Sequence, residues 1–404
     1  MEKQINKIPQ VRFREFNDDW EEFRLSELMT RVSKNNKDEE FSVKEILSLS
    51  STKGIVDRKE LLGDTYDKVN HKNYIKTRLN DLVYGKSISS AYPYGLFKVN
   101  NCRDGLLSTL YFTFKVNDNT NSEYLDRYFS YHNRANNFLK KYVLVGDRYI
   151  TADANYILSG KIFTPQLPEQ QKIAHFFSIV DKKLNQLQEK KTALAHYKKG
   201  MMQQIFSQKL RFKDENGNDF TKRNTIELGE IVKIKSGNSP SKYNLKNSGT
   251  TPFIKVEELN NCNKNIRHSR YYTDNVSDTI PVNSIIFPKR GGAILTNKVR
   301  INSVPLFMDS NLMALICDTN QVNFQFLFYK IVFQKLYKIA DTSTIPQINN
   351  KHIQPLILEL PSLSEQTKIA NFLSKIDDKI NTVNKQIETT KTYKKGLLQK
   401  MFCN

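Results

Sequence analysis

Cysteine and long apolar runs are scarce in this sequence, and both absences narrow its class. The four cysteines, Cys102, Cys262, Cys317 and Cys403, stand far apart and form neither a CxxC pair nor a Cys/His spacing typical of metal ligands. A disulfide framework is therefore disfavoured, and a reduced cytosolic setting is expected. No stretch reaches about 18 apolar residues, and the first residues lack an apolar signal core. The sequence thus predicts a cytoplasmic protein that does not enter a membrane.

The motifs of DNA-modifying and nucleotide-hydrolysing enzymes are missing as well. There is no NPPY or DPPY tetrapeptide to hold an extruded adenine, and no FxGxG loop for a methyl donor. The segment Tyr84–Ser87 resembles the end of a phosphate-binding loop, but Asn80 stands where the first glycine of that loop is required. The six histidines form no HExxH motif or other ligand pair. We therefore expect no catalytic site, no metal site and no cofactor bound by this chain.

Acidic residues are too few to balance the basic ones. The chain has 62 Lys and Arg against 42 Asp and Glu, which gives a formal net charge of +20. Such an excess favours a polyanionic partner, most often nucleic acid, bound through salt-sensitive phosphate contacts. A basic surface without any ligand is the alternative interpretation of the charge alone.

What the sequence does contain is a long internal repeat. The segments Pro165–Phe206 and Pro361–Phe402 align without a gap at an offset of 196 residues, and 18 of 42 positions are identical. Both segments carry EQxKIAxF near the start and YKKG near the end. The chain is therefore a duplicated, two-part molecule, which suits a bipartite target.

The repeat extends faintly into the segments that precede these two. LSEL at Leu25–Leu28 matches LGEI at Leu228–Ile231, and DLVYGK ending at Lys86 matches SIIFPK ending at Lys289. The offset drifts only between 196 and 203 residues, whereas the residues between these anchors have diverged almost completely. A shared framework with different variable parts predicts two modules that recognise different things.

The repeated segments have the spacing of long helices. Apolar residues step by alternating four and three positions within 173–205 and 369–401, which keeps one seam on one face as in a coiled coil. Pro168 suits a first helical turn, and Ser362–Glu365 fits a capping box. Each helix would measure about 60 Å. We expect the two seams to pack on each other, antiparallel, within the chain; packing of each seam on its own globular half is the alternative.

The globular halves have a mixed pattern, so the predicted fold class is α+β. Short β-type runs (106–116 and 283–289) accompany helix-like stretches (123–142 and 324–340), separated by polar loops. The architecture is then two pseudo-repeated mixed domains, separated by two long antiparallel coiled-coil helices. The predicted boundaries are a first domain at 1–164, a central helix at 165–209, a second domain at 210–360 and a C-terminal helix at 361–404.

This arrangement resembles the specificity subunit of a type I restriction–modification enzyme. The resemblance covers essentially the whole chain. The residues that carry it are Glu169–Phe176 with Tyr197–Gly200, Glu365–Phe372 with Tyr393–Gly396, and the opening RFREFNDDWEEFRLSEL.

The resemblance implies a non-catalytic protein that confers DNA specificity. Two target-recognition domains would each read one half of a split, asymmetric site in double-stranded DNA. The two long helices would fix the spacer and dock two modification subunits with adenine methyltransferase activity. Restriction subunits would add ATP-driven translocation and cleavage. S-adenosylmethionine, ATP and Mg²⁺ are thus expected in partner subunits rather than here.

Candidate DNA contacts are basic, aromatic or hydroxyl side chains in the divergent loops. Arg and Lys can read guanine edges, whereas other contacts only hold phosphate. For any single residue, a solvated surface charge is the alternative. The candidates are Lys72, Tyr74, Lys86, Ser87, Tyr92, Arg148 and Tyr149 in the first half, and Lys242, Arg270, Lys289, Arg290, Lys298 and Arg300 in the second. The aligned Lys86 and Lys289 are the preferred pair for holding phosphate.

Candidate residues for helix pairing or subunit docking occupy matching positions of the two repeats. They are Glu169, Ile173, Phe176, Val180, Tyr197 and Lys198 in the first repeat, and Glu365, Ile369, Phe372, Ile376, Tyr393 and Lys394 in the second. The lysines of the YKKG motifs could bind a partner or could simply be solvated.

Two other functions compete with the specificity subunit. A self-contained DNA-modifying enzyme is disfavoured by the missing motifs. A coiled-coil DNA-binding scaffold outside restriction, without catalysis of its own, is disfavoured by the divergence between the duplicated halves.

Overall fold

The chain folds into two compact units that both include part of the long helices. The computed structural model describes residues 8–63, 70–146, 150–341 and 345–403. The first unit comprises Met1–Glu189 with Lys385–Asn404, and the second comprises Lys190–Asn384. All four cysteines lie in the described ranges and are free thiols.

The strands and helices that precede the first long helix are short. The strands are β1 (Glu21–Arg24), β2 (Met29–Val32), β3 (Leu47–Ser50), β4 (Gly54–Asp57), β5 (Ile75–Thr77), β6 (Leu82–Gly85), β7 (Leu96–Val99), β8 (Gly105–Leu107), β9 (Tyr111–Val116), β10 (Val143–Val145), β11 (Ile150–Ala152) and β12 (Lys161–Thr164). The helices are α1 (Leu25–Leu28), α2 (Arg58–Leu62), α3 (Ser122–Ser130), α4 (His132–Leu139), α5 (Ala154–Leu158) and α6 (Leu167–Phe206).

The remaining elements begin and end as the first set does, with a strand, a short helix and a strand at the start and a strand that leads into a long helix at the end. The strands are β13 (Asn224–Glu227), β14 (Val232–Ser236), β15 (Thr251–Ile254), β16 (Asn265–Ile266), β17 (Tyr272–Thr273), β18 (Ile285–Pro288), β19 (Arg300–Asn302), β20 (Phe307–Met308), β21 (Leu312–Cys317) and β22 (Ile357–Leu360). The helices are α7 (Leu228–Ile231), α8 (Phe324–Gln334), α9 (Asn350–Ile353) and α10 (Leu363–Lys400).

The first unit is built around an antiparallel sheet in the order β2-β9-β6-β7. Its core is aromatic: Phe97 and Phe114 from the sheet are buried in one cluster with Trp20, Phe177 of α6 and Phe402. Phe402 follows the end of α10 and contacts the Trp20 ring with centroids 6.5 Å apart. Burial of such large rings is the main term that stabilises a core. It also fixes the end of α10 to this unit.

The second unit uses the same plan with a larger sheet, in the order β14-β21-β18-β19-β16. Its core joins Phe287 of β18 and Phe326 of α8 to Phe206 at the end of α6 and to Ile369 and Leu373 of α10. Strand β18 corresponds to β6 and β21 corresponds to β9, so the anchors found in the sequence are equivalent elements. The duplication is thus present in the structure as well as in the sequence.

The two long helices are each unbroken and antiparallel within each unit. In the first unit, Asp181 of α6 is ion-paired with Lys394 of α10, while Phe177 stacks on Phe402. In the second unit, Lys198 lies 2.5 Å from Asp377. Higher numbers on one helix therefore meet lower numbers on the other. The predicted α+β class with two long paired helices is confirmed.

Details of the predicted elements differ from the observed ones. The stretch 123–142 is two helices, because Tyr131 adopts an extended backbone between α3 and α4. In the stretch 324–340, the helix ends at Gln334, because Lys335 has a left-handed backbone conformation with φ of 59°. The expected capping box of α10 is only half formed. Ser362 Oγ accepts from the Glu365 backbone N–H at 3.4 Å, but the Glu365 carboxylate pairs with arginines instead.

Candidate nucleic-acid interface

Lys86 and Lys289 occupy equivalent places in the two units. Each directly follows a central strand of its sheet, β6 or β18. The carbonyl of Lys86 accepts from the Ile150 backbone N–H at 3.3 Å, and that of Lys289 accepts from the Ile348 N–H at 2.8 Å. The same backbone connection therefore fixes both lysines at the same edge of related sheets.

The Lys86 ammonium shares an aromatic ring with a second cation. Its Nζ lies 4.4 Å from the Phe112 ring centroid, and the Arg31 guanidinium lies 5.3 Å from the same centroid. Burial, and then the charge of Arg31, lower the pKa of Lys86. Two cations against one ring create a positive edge that favours an anion. Arg31 was not among the candidates found from the sequence, because the segment around it carries no motif beyond the neighbouring LSEL anchor.

Lys289 has a polar rather than an aromatic neighbour. Its Nζ donates to the Ser236 hydroxyl at 2.9 Å. Burial, and then the charge of Arg290, lower the pKa of Lys289. Arg290 itself is exposed, so the second sheet edge also carries two adjacent cations.

The other candidates of the first half are spread along the surface of their unit. Ser87 is exposed beside Lys86, and the Tyr92 ring packs edge-on against His132 with centroids 4.6 Å apart. Lys72 is exposed and 2.5 Å from Glu39. The Tyr74 hydroxyl accepts from Arg58 at 3.5 Å. Arg148 and Tyr149 lie outside the described residues.

The other candidates of the second half differ in how free their polar groups are. Lys242 is exposed and only 3.4 Å from the Asn238 side-chain oxygen, and Lys298 bonds to Asn260. Arg270 is 2.6 Å from the buried Glu258, yet 63% of its side chain is exposed.

Arg300 is held by the backbone. Its guanidinium donates to the carbonyls of Leu259, Cys262 and Val299, each at 2.8 Å. These bonds give Arg300 a clear role in fixing the 259–262 loop. Contact of Arg300 with a base edge stays a prediction, and few of its N–H donors are left for such a contact.

The glutamate of EQxKIAxF has a structural role in both repeats. The buried Glu169 carboxylate receives two hydrogen bonds from Arg12, at 2.7 and 2.8 Å. Glu365 receives bonds from Arg211 at 2.6 Å and from Arg223 at 2.8 Å. Each glutamate thus ties the start of its helix to a chain segment more than 140 residues away.

The glutamine of the motif ties a third segment to the same point. Gln170 accepts from the Asn121 N–H at 2.9 Å and donates to the Pro165 carbonyl at 2.8 Å. Gln366 accepts from the Asn323 N–H at 2.8 Å and donates to the Pro361 carbonyl at 2.9 Å. Since Asn121 and Asn323 cap α3 and α8, the glutamine fixes those helices to the long ones.

The phenylalanine of the motif packs against a residue near the start of each globular half. The Phe176 ring meets Phe13 edge-on at 5.8 Å, and the Phe372 ring meets Phe212 at 5.4 Å. His175 is exposed. Both phenylalanines therefore hold an RF segment, Arg12-Phe13 in the first half and Arg211-Phe212 in the second. From the sequence, their expected role was only helix pairing or docking.

The remaining candidates on the helices fall into two groups. Ile173, Val180, Ile369 and Ile376 are buried. Ile173 belongs to the core cluster of the first unit, and Ile369 and Ile376 belong to that of the second, so part of each apolar seam packs on its own globular half. Tyr197 and Tyr393 are 50% and 55% exposed. The seam residues thus serve packing, while the two tyrosines remain available to a partner.

Two buried asparagines were missed by the sequence analysis. The Asn100 amide donates to the carbonyls of Arg78 and Arg103 at 3.0 and 2.8 Å. The Asn302 amide donates to the carbonyls of Pro281 and Val304 at 2.8 and 2.9 Å. They lie 202 residues apart, inside the range of the repeat offset, so an alignment of the halves around DLVYGK could have found them.

Comparison with known proteins assigns the family. The model of the type I restriction modification DNA specificity domain matches twice, at residues 17–195 and 222–391, which together are more than half of the chain. The chain belongs to this family. The predicted resemblance is confirmed, and the two matches to the specificity domain follow the duplication.

Individual relatives of the specificity family are distant. A putative type I restriction enzyme MjaX specificity subunit from Methanocaldococcus jannaschii is 29% identical over 192 residues, 44% of each chain. The MjaIX specificity subunit of the same organism is 25% identical over 74% of this chain and 69% of that protein. The matched region spans 44% and 41% of the first two curated relatives.

Two solved structures share the fold. The S subunit of a type I restriction-modification system from M. genitalium aligns over 98% of this chain and 99% of its own length, with a TM-score of 0.59 and 15% identity. A chain from a structural study of type I complex assembly and conformational transition aligns over 95% and 97%, with a TM-score of 0.54 and 16% identity. In the described ranges, no helix has the length and apolar character needed to cross a membrane.

Proposed function

We propose that this chain is the non-catalytic DNA-specificity subunit of a type I restriction–modification complex, acting in the cytoplasm. The observation that carries this proposal is the pair of matched specificity domains, with equivalent frameworks and divergent loops. Two such domains suit the two halves of a split, asymmetric site in double-stranded DNA. The formal charge of +20 supplies the phosphate-binding term that any DNA site requires.

The sheet edges that carry Lys86 and Lys289 are the proposed starting points of DNA contact. The equivalent Lys86 and Lys289 each have a second cation beside them, Arg31 or Arg290, and none of the four forms an ion pair within the described ranges. Lysines at phosphates position the duplex without reading its sequence. The loops that have diverged, with Tyr92, Lys242 and Arg270 among their residues, would then supply the base contacts. We propose 1–164 and 210–360 as the functional recognition domains.

The long helices are the proposed spacer and docking elements. Two modification subunits would dock there and carry S-adenosylmethionine, and restriction subunits would supply ATP- and Mg²⁺-dependent cleavage. The exposed Tyr197 and Tyr393 are the proposed docking side chains, because exposed aromatic side chains are enriched at interfaces.

A domain exchange tests this function. Residues 25–163 are replaced by the matching region of a relative, and methylated adenines are mapped in a genome that carries the hybrid with its modification subunit. We expect one half of the methylated motif to change and the other half to stay. The matched control exchanges 228–359 and should change only the opposite half. A change of both halves in either hybrid would contradict the modular proposal.

A further inference from the structure

A basic cleft lies in the first unit, beside the last turns of α10. Its volume is 700 Å³, and five basic side chains line it: Lys98, His132, Lys391, Lys394 and Lys395. None of its described lining residues is acidic. A concave surface lined by charge of one sign concentrates ions of the opposite sign.

Three of these cations have carboxylate neighbours outside the cleft. Lys394 is ion-paired with Asp181 in the helix seam, and Lys98 lies 3.3 Å from Asp126. Lys391 is paired with Glu388 at 2.9 Å. Both partners of this ion pair are exposed to solvent, so Glu388 holds Lys391 only weakly.

The other two basic side chains, Lys395 and His132, differ in charge. Lys395 takes part in no ion pair within the described residues, and it is exposed. His132 starts α4, and burial followed by the charges of Lys98 and Lys395 lowers its pKa. Lys395 is therefore close enough to His132 to disfavour a further positive charge. The cleft is a place where an anion would be stabilised.

Tyr92 connects the cleft to the proposed DNA-contacting edge. Its ring lines the cleft and packs against His132 at 4.6 Å. The loop that carries it begins at Lys86, which shares the Phe112 ring with Arg31. Cations without an ion pair in the described ranges thus lie near both ends of one loop, Lys86 at its start and Lys395 beside His132.

We propose that this cleft binds the sugar-phosphate backbone of the DNA, through Lys391 and Lys395 of α10. The inference rests on the proposed DNA-specificity function and extends it, because it gives a long helix a direct role in holding DNA. Lysine acts at phosphate as a point charge and carries no sequence information. The contribution to binding is therefore independent of the bases recognised.

The repeat distinguishes the cleft lysines of α10 from one another. Lys391 aligns with Ala195 of α6, so this cation is particular to α10, whereas Lys394 and Lys395 belong to the shared YKKG motif. Lys391→Ala installs the residue of the other copy and keeps a strong helix former. The fold is thereby left intact while one cleft charge is removed.

The experiment measures DNA affinity of the complex assembled with its modification subunit. The double variant Lys391→Ala, Lys395→Gln is compared with wild type on a duplex with the recognised site and on an unrelated duplex, over a range of salt concentrations. We expect a loss on the order of tenfold at low salt, equal for both duplexes, and a salt slope smaller by about 2. The methylated motif should not change.

Lys385→Gln is the matched control. Lys385 is an exposed lysine of the same helix and does not line the cleft, so this variant should bind as wild type. Unchanged affinity and slope in the double variant would overturn the inference. So would a loss confined to the recognised duplex, which would indicate base reading. So would intact DNA binding with lost methyltransferase association, which would make the cleft a protein-docking surface. A wild-type complex that binds neither duplex would instead overturn the proposed function itself.

Discussion

Lys198 of α6 lies 2.5 Å from Asp377 of α10, which places an ion pair inside an otherwise apolar helix seam. The repeat supplies the same bond in the first unit, between Lys394 and Asp181. Lys198 and Lys394 of the YKKG motifs, for which partner binding or solvation was expected, are therefore paired with carboxylates of the facing helix. Half-buried polar pairs at such positions favour one register of the paired helices.

Lengthening both helices between these ion pairs should lengthen the DNA spacer. The register of Lys198 and Asp377 places Thr192 at the level of Val383, so four residues are inserted after each. The insertion adds about 6 Å and one helical turn, which keeps the seam on its face. We expect the methylated motif to retain both half-sites with a spacer longer by about one or two base pairs.

The matched control for this insertion is two residues at the same points. Two residues rotate the following helix by about 200°, which turns the seam towards solvent. Modification should then be lost. A four-residue variant whose methylation map shows the original spacer would mean that the helices do not set it.

Removal of the Glu365 carboxylate should destabilise the second unit strongly. Glu365→Ala leaves the Arg223 side chain, which is 1% exposed, without its carboxylate. An uncompensated buried charge of this kind costs about 3 to 5 kcal/mol in the free energy of unfolding. Urea denaturation measures the change, with Glu189→Ala on the exposed face of α6 as control. Similar denaturation midpoints for both variants would contradict the structural role of this glutamate.

Charges placed at the two motif phenylalanines should abolish modification. Phe176→Asp and Phe372→Asp would each put a carboxylate against the ring of Phe13 or Phe212 and release the RF segment. We expect lower melting temperatures and no methylation by the complex. His175→Asn, which installs the residue aligned with it, should keep both properties. Normal methylation by the aspartate variants would show that the RF segment is dispensable.

Neutralising the aligned lysines should weaken DNA binding without altering specificity. Lys86→Gln and Lys289→Gln should each lower the affinity for any duplex and reduce the salt slope by about 1, since each removes one phosphate contact. Lys182→Gln, on the exposed surface of α6, is the control. A changed methylation motif in either variant would mean that the lysine reads a base.

The stability of the protein should depend on Asp81 between about pH 4 and pH 7. Burial raises the pKa of Asp81 from 3.8 to about 6, although its carboxylate accepts the Arg78 backbone N–H at 2.7 Å. The folded chain therefore keeps this proton when the unfolded chain has lost it, so the contribution of Asp81 to the free energy of unfolding falls as pH rises through this window. Carboxylates with a lowered pKa, such as Asp38, contribute the opposite slope, so the measurement is the difference between variant and wild type. Asp81→Asn should remove the contribution of Asp81 from the stability profile, whereas Asp118→Asn at an exposed position should leave it. Parallel profiles of wild type and Asp81→Asn would contradict the raised pKa of Asp81.

The sequence by itself determined the duplication, the two long helices, their seam and the family. Periodicity and repetition are local or linear properties, so Ile173, Val180, Ile369 and Ile376 could be placed on one apolar face of each helix without coordinates, whereas only the fold shows that part of this face packs on the globular cores. The aligned Lys86 and Lys289 were found in the same way, because the anchors around them are framework strands whose burial constrains them.

Only the tertiary structure decided what the polar residues do. Glu169 looked like a docking residue, and its bond to Arg12 is invisible in a sequence that separates them by 157 residues. Arg31 meets Lys86 only because β2 and β6 both pair with β9 and bring them to the same Phe112 ring. The cleft beside α10 depends on the same kind of long-range contact, between a loop near Tyr92 and a helix some 300 residues later. The amino-acid composition determines how many cations a chain has, whereas the fold determines which of them lie beside a carboxylate that neutralises them.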